Sequence, residues 1–376
     1  MLKYLARRLS ATLLVITLVS MSVFGIFAVL PMDPAALTCG KACSAPVIEA
    51  NRHRLGLDVP VHVQYGRFVK GLFVGRDFGE GAAAFHCPAP AFGYSYNRHE
   101  CVTTLIAEAF PVTLSLAVGA FVLWLSVGVS LGILAARKRN EWQDRAATAF
   151  VLVGTSLPTF ISGILILLFV ALKFNLINPI EMGRWVSPLE DPVAWFRTFI
   201  FPWIVLALLY AATYTRFTRS NVIETSTEDY IRTARAKGLN ERDILRKHTL
   251  RAALAPIITL AGLDFAGLLG GAIITEGIFN LPGLGRLSIR AVLRDYDLPT
   301  ILATTILAAV FVVVANLFVE IAYLVTGALL GVATGAFGQV VITLIGMSIW
   351  ALLVSPIMLP VFTRLHALIF DSRSSI

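Results

Sequence analysis

Seven long apolar stretches dominate the chain, at residues 9–30, 111–136, 146–172, 198–215, 252–274, 299–324 and 339–359. Each is close to the roughly 20 residues a helix needs to cross a bilayer. Pro158 and Pro202 lie inside two of them, which a membrane bundle tolerates because neighbouring groups satisfy the freed backbone. The pattern predicts an all-α, polytopic helical bundle. The first stretch follows Lys3, Arg7 and Arg8 and exceeds the roughly 7–15 apolar residues of a signal peptide. Ala36-Leu37-Thr38-Cys39 is a poor lipoprotein cleavage site, so an uncleaved helix is expected. At the other end, residues 298–363 hold a single charge, Glu320. That is too much chain for one crossing of a core about 30 Å thick. Two spans fit, with a turn among Gly327, Gly331, Gly335 and Gly338. A seventh span puts the tail outside. A re-entrant or interfacial segment is the alternative, and the tail carries Arg364 and Arg373.

Composition agrees. Of 376 residues, 57% are apolar and 14% charged, with a mean hydropathy of +0.78. Soluble domains carry about 25% charged residues, so a simple globular enzyme, a disordered chain and a small disulfide scaffold are excluded. The net charge of +8 allows a nucleic-acid surface only if it clusters on one soluble face. With the N-terminus inside, segments 1–8, 137–145 and 216–251 are inner and hold three, four and nine Lys or Arg residues. The outer segment 31–110 holds seven. This is the positive-inside bias, and it removes the main support for nucleic acid.

All four cysteines, Cys39, Cys43, Cys87 and Cys101, fall in segment 31–110. Disulfides persist in oxidising compartments, so two of them on the outer side fit both count and location. Three pairings are open. The alternatives are zinc on Cys39-x3-Cys43, with His86 and His99 beside the other two cysteines, and free thiols. Residues 80–100, rich in Gly, Ala, Pro and aromatics, read as an irregular loop.

The strongest chemical signal lies at 216–252. Thr225-Ser226-Thr227-Glu228 has capping-box spacing. A helix is expected through Asp229, Tyr230, Ile231, Arg232, Thr233, Ala234, Arg235, Ala236 and Lys237, ended by a left-handed turn at Gly238 before Leu239. A second helix begins near Asn240 or Glu241 and runs into the fifth span. A basic helix lying on anionic lipid needs a clear apolar face, and only Tyr230, Ile231 and Leu239 are large and apolar. Small and basic residues favour docking into a groove of a cytoplasmic partner.

Arg232-Thr233-Ala234-Arg235-Ala236-Lys237-Gly238-Leu239, with His248-Thr249-Leu250-Arg251 and Pro256, resembles the cytoplasmic loop motif of type I ABC importer permeases. It is most similar to the version in the dipeptide, oligopeptide and nickel permease family. Leu55-Gly56-Leu57-Asp58-Val59-Pro60…Gln64-Tyr65, Ser156-Leu157-Pro158-Thr159-Phe160 and Glu276-Gly277-Ile278-Phe279-Asn280-Leu281-Pro282-Gly283-Leu284-Gly285 resemble further signatures of that family, in order, along residues 1–325. Met32 stands where the family usually has Gly, residues 80–93 look like an insertion, and about fifty residues follow the sixth span.

The resemblance implies a type I importer bundle, to which the four cysteines add a disulfide-stapled exterior cap as a local elaboration. Its parts are a first transmembrane helix (1–30), a cap segment (31–110), a permease core (111–325) with a coupling loop (216–252), and an added hydrophobic segment (326–376). It implies a non-enzymatic permease subunit for di- or oligopeptides in the bacterial plasma membrane, with its N-terminus cytoplasmic. Relatives also handle nickel complexes, haem and glutathione. Implied partners are a second related permease, two ATPase subunits or domains and an exterior substrate-binding protein. ATP and Mg would be used by the ATPases, because this chain has no Gly-Lys-Ser/Thr phosphate loop and is expected to bind no cofactor or metal.

Inside the spans, Asp264 is costly at mid-depth and reads either as a pathway residue or as a hydrogen-bonded structural one. Glu276 and Glu320 are expected near span ends with interfacial cations or water. Gly267, Gly270 and Gly271 suit packing against a second subunit. A secondary transporter needing no ATPase is the rival class, but it would show internal repeats, and none is evident.

Overall fold

The computed structural model describes residues 2–29, 35, 44–79, 85–169 and 183–330. The seventh apolar stretch, the tail, Cys39 and Cys43 lie outside the described residues. The chain divides into one unit of residues 1–67 with 317–376 and another of residues 68–316.

In the first unit, helix Leu2–Val29 is tied to helix Val61–Val74. Ser20 and Tyr65 share a 2.8 Å hydrogen bond, and Phe24 meets the Tyr65 ring edge-on. Helix Ala45–Leu55 stops at Gly56, whose φ of 66° is the left-handed conformation that suits glycine.

The second unit is built on two long helices, Val102–Arg137 and Pro192–Ser226, packed side by side. The seam is made by small residues. A Cβ at Gly119 would overlap the Trp203 ring, one at Gly128 would lie 2.8 Å from Tyr214, and one at Gly132 would meet Thr218. Glycine at these places lets the helices approach closely. Trp203 is held there by its Nε1–H, which donates to the Ser115 carbonyl at 3.0 Å. Pro202 stays inside its helix, as expected. The helix starting at Val102 begins nine residues before the apolar run at 111. Its first turns bury Leu105, Ile106 and Ala109 against Leu284, Leu287 and Ala303, so protein packing replaces lipid there.

Among the described residues, five helices are long and apolar enough to span a membrane: Arg7–Ile26, Val102–Arg137, Pro192–Ser226, Glu241–Leu269 and Leu298–Leu317. The expected third span differs. Helices Trp142–Ser156 and Thr159–Leu167 meet at 95°. Pro158 forces Leu157 out of helical backbone (φ −93°, ψ 110°), so the run is broken rather than straight. The fifth span ends at Leu269 rather than near 274, because the chain turns at Gly270 and Gly271.

Residues 85–101 are more ordered than an irregular loop. Arg76–Phe78 pairs with Phe85–Cys87, and Tyr94–Ser95 with Glu100–Cys101, as two antiparallel ribbons. A Cys87–Cys101 disulfide staples them over a small core of Ala91 and Tyr94. His86 bonds Asp77 at 2.7 Å, and no cluster of metal-ligating residues occurs among the described residues.

Candidate functional site

The disulfide ribbons and the basic loop lie at opposite ends of the Val102–Arg137 helix, whose 36 residues span about 54 Å at the usual rise. At the basic end, the loop is rooted by a buried ion pair. Arg219 donates from Nε to Asp144 Oδ1 at 2.6 Å and from Nη2 to Oδ2 at 2.9 Å, and the Asn140 amide adds a third bond to Oδ2. Reading the sequence missed this pair. Its signal was an acid, Asp144, in the strongly basic segment of Arg137, Lys138, Arg139 and Arg145, facing an arginine inside an apolar helix.

The expected capping box does not form. The Pro192 helix runs on through Thr225 and Ser226, where the Ser226 hydroxyl bonds the Val222 carbonyl and the Thr227 hydroxyl bonds Glu224. Helix Asp229–Ala236 starts instead on the backbone of Glu228, with no side-chain cap. It ends as expected, with Gly238 at φ 78° and the Leu239 amide on the Ala234 carbonyl. Asn240 then caps the next helix, accepting the Arg242 amide on its side chain. That helix passes through a wide π-type turn, Ile244–Thr249, which contains His248, into Leu250–Leu269.

The loop residues divide in two. Ile231 and Ala234 are buried against Ile244, so Ala234 packs within the loop rather than offering a small outward surface. Arg235 is likewise engaged, donating to Glu241 at 2.6 Å and joining the two helices. Arg232 lies 3.7 Å from Asp229. Tyr230, Arg232, Thr233, Ala236, Lys237 and Leu239 are exposed, and Lys237 has no ion-pair partner among the described residues. The outward face is therefore basic with two apolar anchors, Tyr230 and Leu239.

Asp264 is brought to an aromatic group between the long helices. Tyr214 donates to it at 2.6 Å, and Tyr210 stacks on Trp124 with centroids 4.5 Å apart. The buried Trp124 Nε1–H finds no acceptor among the described residues.

Glu276 corrects another expectation. It is fully buried, not at a solvated span end. Its Oε1 accepts from the Thr113 hydroxyl at 2.9 Å and the Ala272 amide at 3.3 Å, and its Oε2 from the Arg286 amide at 2.8 Å. The Leu284 amide donates to Thr113 Oγ1 at 2.8 Å, so that hydroxyl must point its proton at Glu276. Burial pushes the Glu276 carboxyl above its ordinary range, and these donors hold it back. The Glu276–Gly285 motif is thus a turn wound around its own acid. The glycine expectation changes with it: a Cβ at Gly271 would strike the Gly285 backbone, and Gly270 meets Ala308. Both are used within the chain, and only Gly267 has open space.

Residues 128–327 match the binding-protein-dependent transport system inner membrane component, and residues 1–117 match the N-terminal part of such membrane components. A putative peptide transport system permease protein of Brucella abortus is 35% identical over 317 residues, covering 84% of this chain and 95% of that one. The glutathione transport system permease protein GsiC of Salmonella paratyphi A is 35% identical over 324 residues, covering 86% and 97%. Among solved structures, the inward-facing MetNI methionine ABC transporter resembles it with a TM-score of 0.46 at 18% identity, over 58% of this chain and 94% of that one.

Proposed function

This chain belongs to the family of binding-protein-dependent transport inner membrane components, as the permease part of a peptide- or glutathione-type ABC importer, and from that premise we propose how it works. It carries small peptides, glutathione among them, across the bacterial plasma membrane as half of a translocation pathway. A related permease supplies the other half. Two ATPases, which use ATP and Mg, act from the cytoplasmic side, and an exterior binding protein delivers the substrate. The chain performs no covalent chemistry itself.

The observation that carries the coupling proposal is the two-sided helix Asp229–Ala236. Its inner side, Ile231 and Ala234, is locked to Ile244 on the segment that continues into Leu250–Leu269. Its outer side presents Tyr230, Arg232, Lys237 and Leu239. A push on the outer side therefore moves the following helix as one piece, with Arg235–Glu241 as a strut. Positive charge there, and a disulfide about 54 Å away by helical rise, support a cytoplasmic loop, an exterior cap and a cytoplasmic N-terminus. Asp264, held by the buried Tyr214 hydroxyl, lines the pathway beside Tyr210, where an acid next to an aromatic face suits a peptide ammonium.

Arg232→Glu with Lys237→Glu tests the coupling. Both side chains are exposed, so membrane abundance should hold while peptide-stimulated ATP hydrolysis and uptake fall at least fivefold. Full coupled uptake by the double variant would remove the docking role.

A further inference from the structure

The cysteine end of the Val102 helix holds a cavity of about 430 Å³ that this reading does not use. Its walls come from three places: Arg98 in the second ribbon, Leu105 and Glu108 in the first turns of the helix, and Arg286 and Arg290 just after the Glu276–Gly285 turn. Trp185 closes one side.

Arg98 is paired with Asp295 at 3.3 Å. The other two arginines are not neutralised. Arg286 gives its Nη1–H to the Asn280 carbonyl at 2.6 Å, a neutral acceptor. Arg290 has no ion-pair partner among the described residues, and neither does Glu108. Burial and the nearby charge of Arg290 disfavour the protonated Arg286 guanidinium, with only Glu276 opposing them. Two like charges beside one concave space are stabilised by a bound anion. Planar guanidiniums suit a carboxylate. The volume lies in the range of small-ligand pockets, and the apolar wall of Leu105 and Trp185 fits a side chain rather than a bare inorganic ion.

Resting on the importer reading above, we infer that this pocket takes the free C-terminal carboxylate of the incoming peptide on Arg286 and Arg290, with Glu108 on the ammonium side. The pocket thus selects zwitterionic peptides at the outer mouth of the pathway. The backbone of Arg286 is fixed by Glu276, so the buried acid positions the guanidinium without touching the substrate.

The test measures uptake of trialanine and of trialanine amide by cells carrying the complete importer, normalised to the amount of this chain in the membrane. Wild type should prefer the acid. Arg290→Gln should lower uptake of the acid about tenfold, the scale of one charge-assisted hydrogen bond, and change the amide less than twofold. Arg290→Lys, which keeps the charge, should recover most of the preference and exclude a folding defect. Equal loss of acid and amide in both variants would point to docking of an acidic partner surface and overturn the inference, as would an unchanged acid-to-amide ratio. Should wild type carry neither peptide, the importer reading fails first and takes this inference with it.

Discussion

The Arg219–Asp144 pair offers the sharpest energetic test, because it fixes the root of the loop on which coupling depends. The guanidinium meets both carboxylate oxygens, at 2.6 and 2.9 Å. Asp144 is almost wholly buried, and Arg219 is about one-third exposed. Gross attraction at roughly 4 Å between charge centres is about 4 kcal/mol with an effective dielectric of ~20. Desolvation of Asp144 takes back part of that. Asp144→Asn keeps an oxygen for the Asn140 amide but strands the guanidinium, and should cost about 2–3 kcal/mol. Arg219→Gln leaves the acid buried without its partner and should cost at least as much. The double variant should cost clearly less than the two singles together, leaving a coupling of about 1.5–3 kcal/mol. Reversible denaturation of the purified chain in detergent measures all four corners. A coupling under about 0.5 kcal/mol, the usual limit of additivity, would show that the pair is held by the helices rather than holding them.

Other expectations follow from single positions. Glu276→Ala strands the Thr113 hydroxyl and the Ala272 and Arg286 amides in a buried site; it should cost about 3–5 kcal/mol, and Glu276→Gln roughly half of that, in the same denaturation assay. Gly119→Ala drives a methyl into the Trp203 ring, which its bond to Ser115 keeps from swinging away. It should destabilise by about 1–3 kcal/mol, and an unchanged melting temperature would count against the seam. Cys87→Ser removes a crosslink between residues 14 apart, worth about 3 kcal/mol for a loop of that size, and should make residues 85–101 the first site of proteolysis. If intact-mass measurement of unreduced protein finds both thiols free, the stapled cap fails.

Apolar run length alone located five of the seven expected spans, because a bilayer sets a length that composition must meet; the third is broken at Pro158, and the seventh lies outside the described residues. The basic loop was legible too: Gly238 had to turn left-handed and a second helix had to start near Asn240 or Glu241, and both do. These are local requirements, settled within a few residues of backbone. The misreadings share a different cause. Thr225–Glu228 has capping-box spacing, yet the preceding helix continues over it because its packing outweighs a local cap worth about 1 kcal/mol. Gly270 and Gly271 looked like an intersubunit face, but Ala308 packs on the first and the Leu284–Gly285 backbone on the second.

The sequence by itself therefore determined a multi-span membrane chain with a basic loop and its cysteines in one segment, since those properties depend on length, charge and local backbone; the permease reading came from motif resemblance. Tertiary structure alone decided which polar groups meet. Asp144 reaches Arg219 across 75 positions, Tyr214 reaches Asp264 across 50 and Thr113 reaches Glu276 across 163. A buried charge must find its donors wherever the fold brings them, and nothing in the neighbouring sequence records that address.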